Sequence, residues 1–136
     1  MIGRLNHVAI AVGDIAKASK LYRDTLGAEV SAVVPQPDHG VNTVFITLPN
    51  TKIELLEPLG KDSPIAKFLE RNPKGGIHHV SLGVDEMAST AAALSGQGVR
   101  ILGDGRAQYN VSGERIAFIH PADFLGALVE LEEHKP

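Results

Sequence analysis

The sequence predicts an α+β domain made of two fused βαβββ modules, on three observations: a strand motif that occurs twice, a helix start after each copy, and a second repeated motif that closes each half. The first copy of the strand motif reads Leu5-Asn6-His7-Val8-Ala9-Ile10-Ala11-Val12. The second, seventy-two residues on, reads Ile77-His78-His79-Val80-Ser81-Leu82-Gly83-Val84. Both alternate with a period of two, as a half-buried strand does. Each runs into an acid suited to start a helix, Asp14 or Asp85. The closing motif pairs Lys52-Ile53-Glu54-Leu55-Leu56-Glu57 with Leu128-Val129-Glu130-Leu131-Glu132-Glu133, at an offset of seventy-six. An offset that grows by four implies a short insertion in the second half. Gly103 to Gly113, rich in glycine and polar residues, is the segment that would tolerate it.

The remaining elements follow from local signals. The first helix runs roughly from Ile15 to Leu26 and stops at Gly27; the second runs roughly from Glu86 to Ser95 and stops in Gly96-Gln97-Gly98. Ala28 to Val34 and Val41 to Leu48 read as strands, with weaker ones at Arg100 to Leu102 and Ile116 to His120. Between the halves, Asp62-Ser63-Pro64 supplies an N-cap and a first-turn proline for a helix over Ile65 to Arg71, which Asn72-Pro73-Lys74-Gly75-Gly76 ends. Neither half, at about 60 residues, buries much apolar area alone. A single domain over 1–136 is therefore expected, with module one at about 3–60, the linking helix at about 63–72 and module two at about 75–134.

Composition narrows the function. Apolar residues make up 43% of the 136 residues and charged residues 21%, which is globular rather than disordered composition. A net charge of −3 offers no basic face for general nucleic-acid binding. No apolar run approaches the ~18 residues of a membrane span. Only Met1 to Arg4 precede the first patterned segment, so no targeting peptide is expected, although a processed chain would read the same. With no cysteine, thiolate metal sites, disulfides and cysteine nucleophiles are excluded, in keeping with a cytoplasmic protein. Gly103-Asp104-Gly105 lacks the third glycine of a dinucleotide fingerprint, and neither a P-loop nor a nucleophile elbow is present.

Strand parity then assigns faces. Val8, Ile10 and Val12 form one face, suited to lie under a helix, while His7 shares the other with the small Ala9 and Ala11. In the repeat, Val80, Leu82 and Val84 pack, and His79 shares its face with Ser81 and Gly83. These small residues are read as leaving space. Ile53, Leu55, Val129 and Leu131 are the packing set of the closing strands, which puts Glu54 and Glu130 on the opposite face. The spacings, 47 residues from His7 to Glu54 and 51 from His79 to Glu130, fit equivalent positions. A lone strand histidine is ordinarily a core residue, and a lone glutamate near a strand end a solvated one. Four at repeat-equivalent positions point instead to a shared divalent metal held by His7, Glu54, His79 and Glu130, with two positions open. His78 has the opposite parity, His39 lies in a turn, His120 ends a strand and His134 is terminal, so none of these is assigned as a ligand.

The paired modules and the His-Glu-His-Glu set resemble the vicinal oxygen chelate superfamily, whose members hold a metal in a cupped mixed sheet with the helices outside. Within it the chain is most similar to the methylmalonyl-CoA epimerases. The first strand and Thr51 to Gly60 carry the resemblance, with Asp62 to Leu69, Gly75-Gly76-Ile77-His78-His79-Val80, Phe118-Ile119-His120-Pro121 and Gly126 to Leu131. The helix from Ser63 to Leu69, joined to the Gly-Gly-x-His-His turn, separates the epimerases from glyoxalase I. The resemblance implies a divalent metal, cobalt first, with nickel, manganese, zinc and magnesium also compatible with a mixed shell. It implies methylmalonyl-CoA as substrate, (2R)/(2S) interconversion through a metal-stabilised enolate, and a homodimer. The setting would be the cytoplasm, or the mitochondrial matrix after loss of a transit peptide.

Some epimerases carry a glutamate as second base where this chain has Thr43, and glutamine where it has Glu54. Threonine is no useful base near neutral pH. Glu54 and Glu130 are therefore the expected catalytic pair, with Glu130 as both ligand and base. Ligation blunts a carboxylate's basicity, so one of them would have to loosen as substrate arrives. Coenzyme A phosphates call for cations, which Lys52, Lys67, Arg71, Lys74, Arg106 and Arg115 could supply; none is singled out. The alternatives are a glyoxalase I-type lyase acting on a glutathione hemithioacetal, a non-enzymatic ligand-sequestering module of the same fold, and an epimerase acting on another acyl-CoA.

Overall fold

A computed structural model describes residues 2–134. The chain is α+β, and it divides into two compact units, one formed by His7–His78 and the other by the residues up to Asn6 together with those from His79 onward. The first strand, β1 (Ile2–Ala11), thus begins in one unit and ends in the other.

In the unit of His7–His78, β1 is followed by α1 (Ile15–Lys20), β2 (Glu29–Val30), β3 (Val34–Gln36), β4 (Val41–Thr47), β5 (Lys52–Pro58) and α2 (Pro64–Arg71). The strands run in the order β2-β4-β5-β1, with β3 also on β4. β1 lies parallel to β5, and β4 antiparallel to β5. Asp14 caps α1 by accepting from Lys17 N, as its position predicts. The helix expected to Leu26 changes pitch after Lys20 and continues as a π-helical stretch, Leu21–Thr25, before Gly27 turns left-handed with φ 66°. The strand expected over Ala28 to Val34 is broken at Ser31. There the Ser31 hydroxyl replaces a backbone carbonyl as acceptor of Phe45 N, at 2.9 Å, and interrupts the ladder.

Both faces of this sheet are covered. On one, Val44, Ile46 and Leu55 pack with Ile15 and Ala18 of α1, with Ile10 of the first strand and with Val12 just beyond it. On the other, Ala9, Ala11, Val41 and Leu56 pack under Ile65, Phe68 and Leu69 of α2. Ser63 caps α2 and Pro64 occupies its first turn. Beyond α2 the chain returns against β1 at Gly75, whose φ is 82°; a Cβ there would lie 2.5 Å from the Ala11 carbonyl oxygen.

The second unit contains β6 (Gly76–Val84) from His79 on, α3 (Met87–Gly96), β7 (Gln108–Tyr109), β8 (Arg115–Ile119) and β9 (Val129–Glu133), with the strands in the order β6-β9-β8-β7. β6 and β9 are parallel, β9 and β8 antiparallel. The core joins Val84, Met87, Ala117, Ile119, Val129 and Leu131. Glu86 caps α3, not Asp85 as the sequence suggested; its carboxylate accepts from Ala88 N and Ser89 N, which its longer side chain reaches. The weak strand at Arg100 to Leu102 reduces to one bridge between Ile101 and Ile119. Among the described residues no helix is long and apolar enough to cross a membrane.

Candidate functional site

His7 is buried on β1 and Glu54 half-buried on β5, with His7 Nε2 2.9 Å from Glu54 Oε2. They are diagonal neighbours on parallel strands, since Glu54 stands opposite Ala9 and His7 opposite Lys52. The alanines beside His7 do not leave the space that the sequence suggested. Ala9 and Ala11 are 0% exposed, and their small side chains are what lets α2 approach the sheet. His7 and Glu54 lie at the end of the face away from Ala11, where Phe45 stands opposite Glu54 and the Lys52 ammonium sits 6.0 Å from the Phe45 ring centre.

The second unit repeats the arrangement. His79 and Glu130 are both buried, with Nε2 and Oε1 4.0 Å apart, and Glu130 stands opposite Ser81 just as Glu54 stands opposite Ala9. The edge of one ring meets the face of the other where His79 and Phe118 pack, at 5.3 Å and 87°. Ser81 is completely buried, and its hydroxyl has no hydrogen-bond partner among the described residues. The structure thus brings the four assigned residues into two His–Glu pairs, one in each unit, with Nε2 toward a carboxylate oxygen both times. In each unit an imidazole nitrogen and a carboxylate oxygen offer donors of the kind a divalent cation of intermediate hardness takes. A buried hydroxyl without a partner beside Glu130 fits a site that completes its hydrogen bonding when occupied.

The other histidines have structural occupations. His78 packs against Phe68 of α2, and burial pushes its imidazole below the ordinary range, favouring the neutral form. His120 accepts from Ala122 N and caps the single turn Pro121–Asp123. His39 ends a short turn that Gly40 closes. Thr43 is buried, and its hydroxyl accepts from Gln36 Nε2 at 2.9 Å, so β4 offers no carboxylate at that position.

One cluster in the second unit was missed by the sequence reading. His134 places Nδ1 2.9 Å from Glu114 Oε2 and Nε2 2.7 Å from Asn6 Nδ2, with Glu132 Oε1 3.6 Å away. Gly83 makes room for it, because a Cβ there would come within 3.1 Å of the His134 ring. That missing side chain was the one available signal. Both ring nitrogens have protein partners, so this is a hydrogen-bonded cluster. Also missed was the two-point contact of the Arg100 guanidinium with Asp123, at 2.9 and 3.1 Å.

Comparison with known proteins bears on what these pairs serve. Residues 6–118 match the model of the glyoxalase/bleomycin resistance protein/dioxygenase superfamily. The chain belongs to that superfamily. Within it, the ethylmalonyl-CoA/methylmalonyl-CoA epimerase of Cereibacter sphaeroides is 57% identical over 133 residues, which cover 98% of this chain and 99% of the relative. The mitochondrial methylmalonyl-CoA epimerase of Mus musculus is 53% identical, over 97% of this chain and 74% of its own length. Among solved superfamily structures, methylmalonyl-CoA epimerase from Mycobacterium tuberculosis superposes with a TM-score of 0.90 at 34% identity, covering 99% of this chain and 90% of that one. A methylmalonyl-CoA epimerase solved with methylmalonyl-CoA and NH4+ gives 0.90 at 31% identity, with complete coverage of both chains. The family resemblance and the fold expected from the sequence are both borne out.

Proposed function

We propose that this chain is a methylmalonyl-CoA epimerase, interconverting the (2R) and (2S) forms by removing the Cα proton on one face and returning it on the other. The observation that carries this reading is 57% identity, across essentially the whole of both chains, to a relative named as that enzyme. The two His–Glu pairs are the chemistry it requires.

His7, Glu54, His79 and Glu130 would together hold the divalent metal, with cobalt the first choice. When bound, the cation supplies Lewis acidity that offsets the negative charge developing on the thioester oxygen beside a carboxylate that is already anionic. The residues do the rest. Glu130 serves as ligand and takes the Cα proton on one face; Glu54 serves on the other, each transfer contributing roughly 10²–10⁴-fold. Thr43 has no proton-accepting role near neutral pH, and its hydroxyl is committed to Gln36. The Phe118 edge contact fixes the His79 ring and so the direction of its Nε2 lone pair. The protein works in the cytoplasm as a homodimer, which sedimentation analysis would test.

The name of the Cereibacter relative supports a second substrate, ethylmalonyl-CoA, differing by one methylene. The deciding experiment is mass-detected deuterium incorporation at Cα in D₂O, run on methylmalonyl-CoA and ethylmalonyl-CoA with metal-stripped and cobalt-reconstituted protein. Metal-dependent exchange accompanied by 2R/2S interconversion is expected. Without exchange by verified metal-loaded protein, the epimerase reading fails, and the glutathione hemithioacetal is the next substrate to assay.

A further inference from the structure

Ser81 stands out among the buried polar groups. Its residue is 0% exposed, and its hydroxyl has no partner among the described residues. Leaving a buried hydroxyl unmade is costly, so such a group calls for an explanation. Burial at this position does not itself demand a hydroxyl, because the repeat contains its own control. Ala9 holds the equivalent place in the other unit, is also 0% exposed, and stands opposite Glu54 as Ser81 stands opposite Glu130. The two units share the His–Glu pair, and at this position they differ by one oxygen.

The neighbour of that oxygen is set by the ladder. Ser81 and Glu130 are register partners on adjacent parallel strands, about 4.8 Å apart, and their side chains leave the sheet on the same face. His79, two residues before Ser81, is on that face too, with Nε2 4.0 Å from Glu130 Oε1, beyond hydrogen-bond reach. A carboxylate has about four lone-pair sites, enough to bind a cation through one oxygen and accept a hydroxyl proton on the other.

We propose that Ser81 is a positioning residue for Glu130, donating its hydroxyl proton to the Glu130 carboxylate when Glu130 serves as metal ligand. This rests on the metal-dependent reading above. The hydroxyl fixes the rotamer of Glu130 and steadies its negative charge, as partners of ligating carboxylates do. Glu54 has no such helper at Ala9, so the two carboxylates are unequal: Glu130 is held, and Glu54 is the one free to loosen.

The test measures two quantities that move in opposite directions. In Ser81→Ala, the thermal midpoint of metal-stripped protein should rise by roughly 3 °C, since an unsatisfied polar group is removed. Its cobalt affinity, read by competition with a chromophoric chelator, should fall about 10–100-fold. Ser81→Cys, close in size but a weak donor, should also lose affinity, and Ala9→Ser should restore nothing to a Ser81→Ala background. If Ser81→Ala binds cobalt as tightly as the wild type, the positioning role is overturned while the metal reading stands. A lowered midpoint in the metal-stripped variant would show that the hydroxyl already has a structural partner, and would also overturn the proposal. If the wild type binds no cobalt, nickel, manganese, zinc or magnesium, both the proposal and the reading beneath it fall.

Discussion

His7 and Glu54 meet Nε2 to Oε2 at 2.9 Å although they are not register partners, His7 standing opposite Lys52 and Glu54 opposite Ala9. The diagonal brings two potential metal donors within hydrogen-bond distance, and a proton must lie between them for the bond to form. A cation that takes both atoms displaces that proton.

Metal loading should therefore remove the proton from His7 Nε2. In 15N-labelled protein titrated with zinc, the His7 Nε2 resonance should lose its proton coupling as the ion binds, whether that proton passes to solvent or to Nδ1. His7→Ala should weaken the metal affinity. An Nε2–H retained in metal-saturated protein would mean that His7 and Glu54 are not displaced from each other.

The two carboxylates should respond differently to neutralisation. Glu130→Gln is expected to lower kcat by roughly 10²–10⁴-fold, through loss of both a base and an anionic ligand. Glu54→Gln should lower kcat by at least about 10²-fold while leaving more of the cobalt in place, because an amide oxygen still coordinates. Metal analysis beside the exchange assay checks this. A Glu54→Gln protein with full epimerase activity and full metal content would falsify the role given to Glu54.

Gly75 should tolerate no side chain. A Cβ would meet the Ala11 carbonyl oxygen at 2.5 Å, and φ of 82° is unfavourable for an L residue in any case. Gly75→Ala should cost about 2–4 kcal/mol in denaturant unfolding, through combined backbone strain and overpacking. Gly60→Ala, with positive φ but open space around it, should cost much less.

Asp123 should report acid conditions. Two-point hydrogen bonding by the Arg100 guanidinium, helped by Arg100 N, pulls its carboxyl down to about 2. A depressed carboxylate stabilises the fold fully above its unfolded value, near ~4, and the contribution disappears as pH falls through the folded value. Asp123→Asn should therefore melt lower than wild type at pH 5, and the two curves should converge between about 4 and 2. An NMR titration of the Asp123 carboxyl should shift toward the ordinary range in Arg100→Gln.

Much of this was legible because the repeat is legible. Two copies of a strand with a histidine, and two of a strand with a glutamate, point to the two His–Glu pairs without any structure, since parity is a local property of the chain. Legibility stopped where tertiary choices decided. Nothing in Ala9 and Ala11 says whether small side chains leave a void or admit a helix, and α2 fills the place. The Glu86 cap on α3 differs from the expected Asp85 by one residue, within the normal ambiguity of a helix start. The His134 cluster draws on Asn6, Glu114 and Glu132, which no period connects.

Because β1 changes unit after Asn6, the repeat written in the chain and the unit built in space do not begin at the same residue. A half cut at the linker would take Asn6 away from His134 and leave the later half without its opening residues. Complementation should show this directly. Fragments divided at Asn72 should recover structure together rather than singly, and a circular permutant opened before His79 should separate the units more cleanly than any division at the linker.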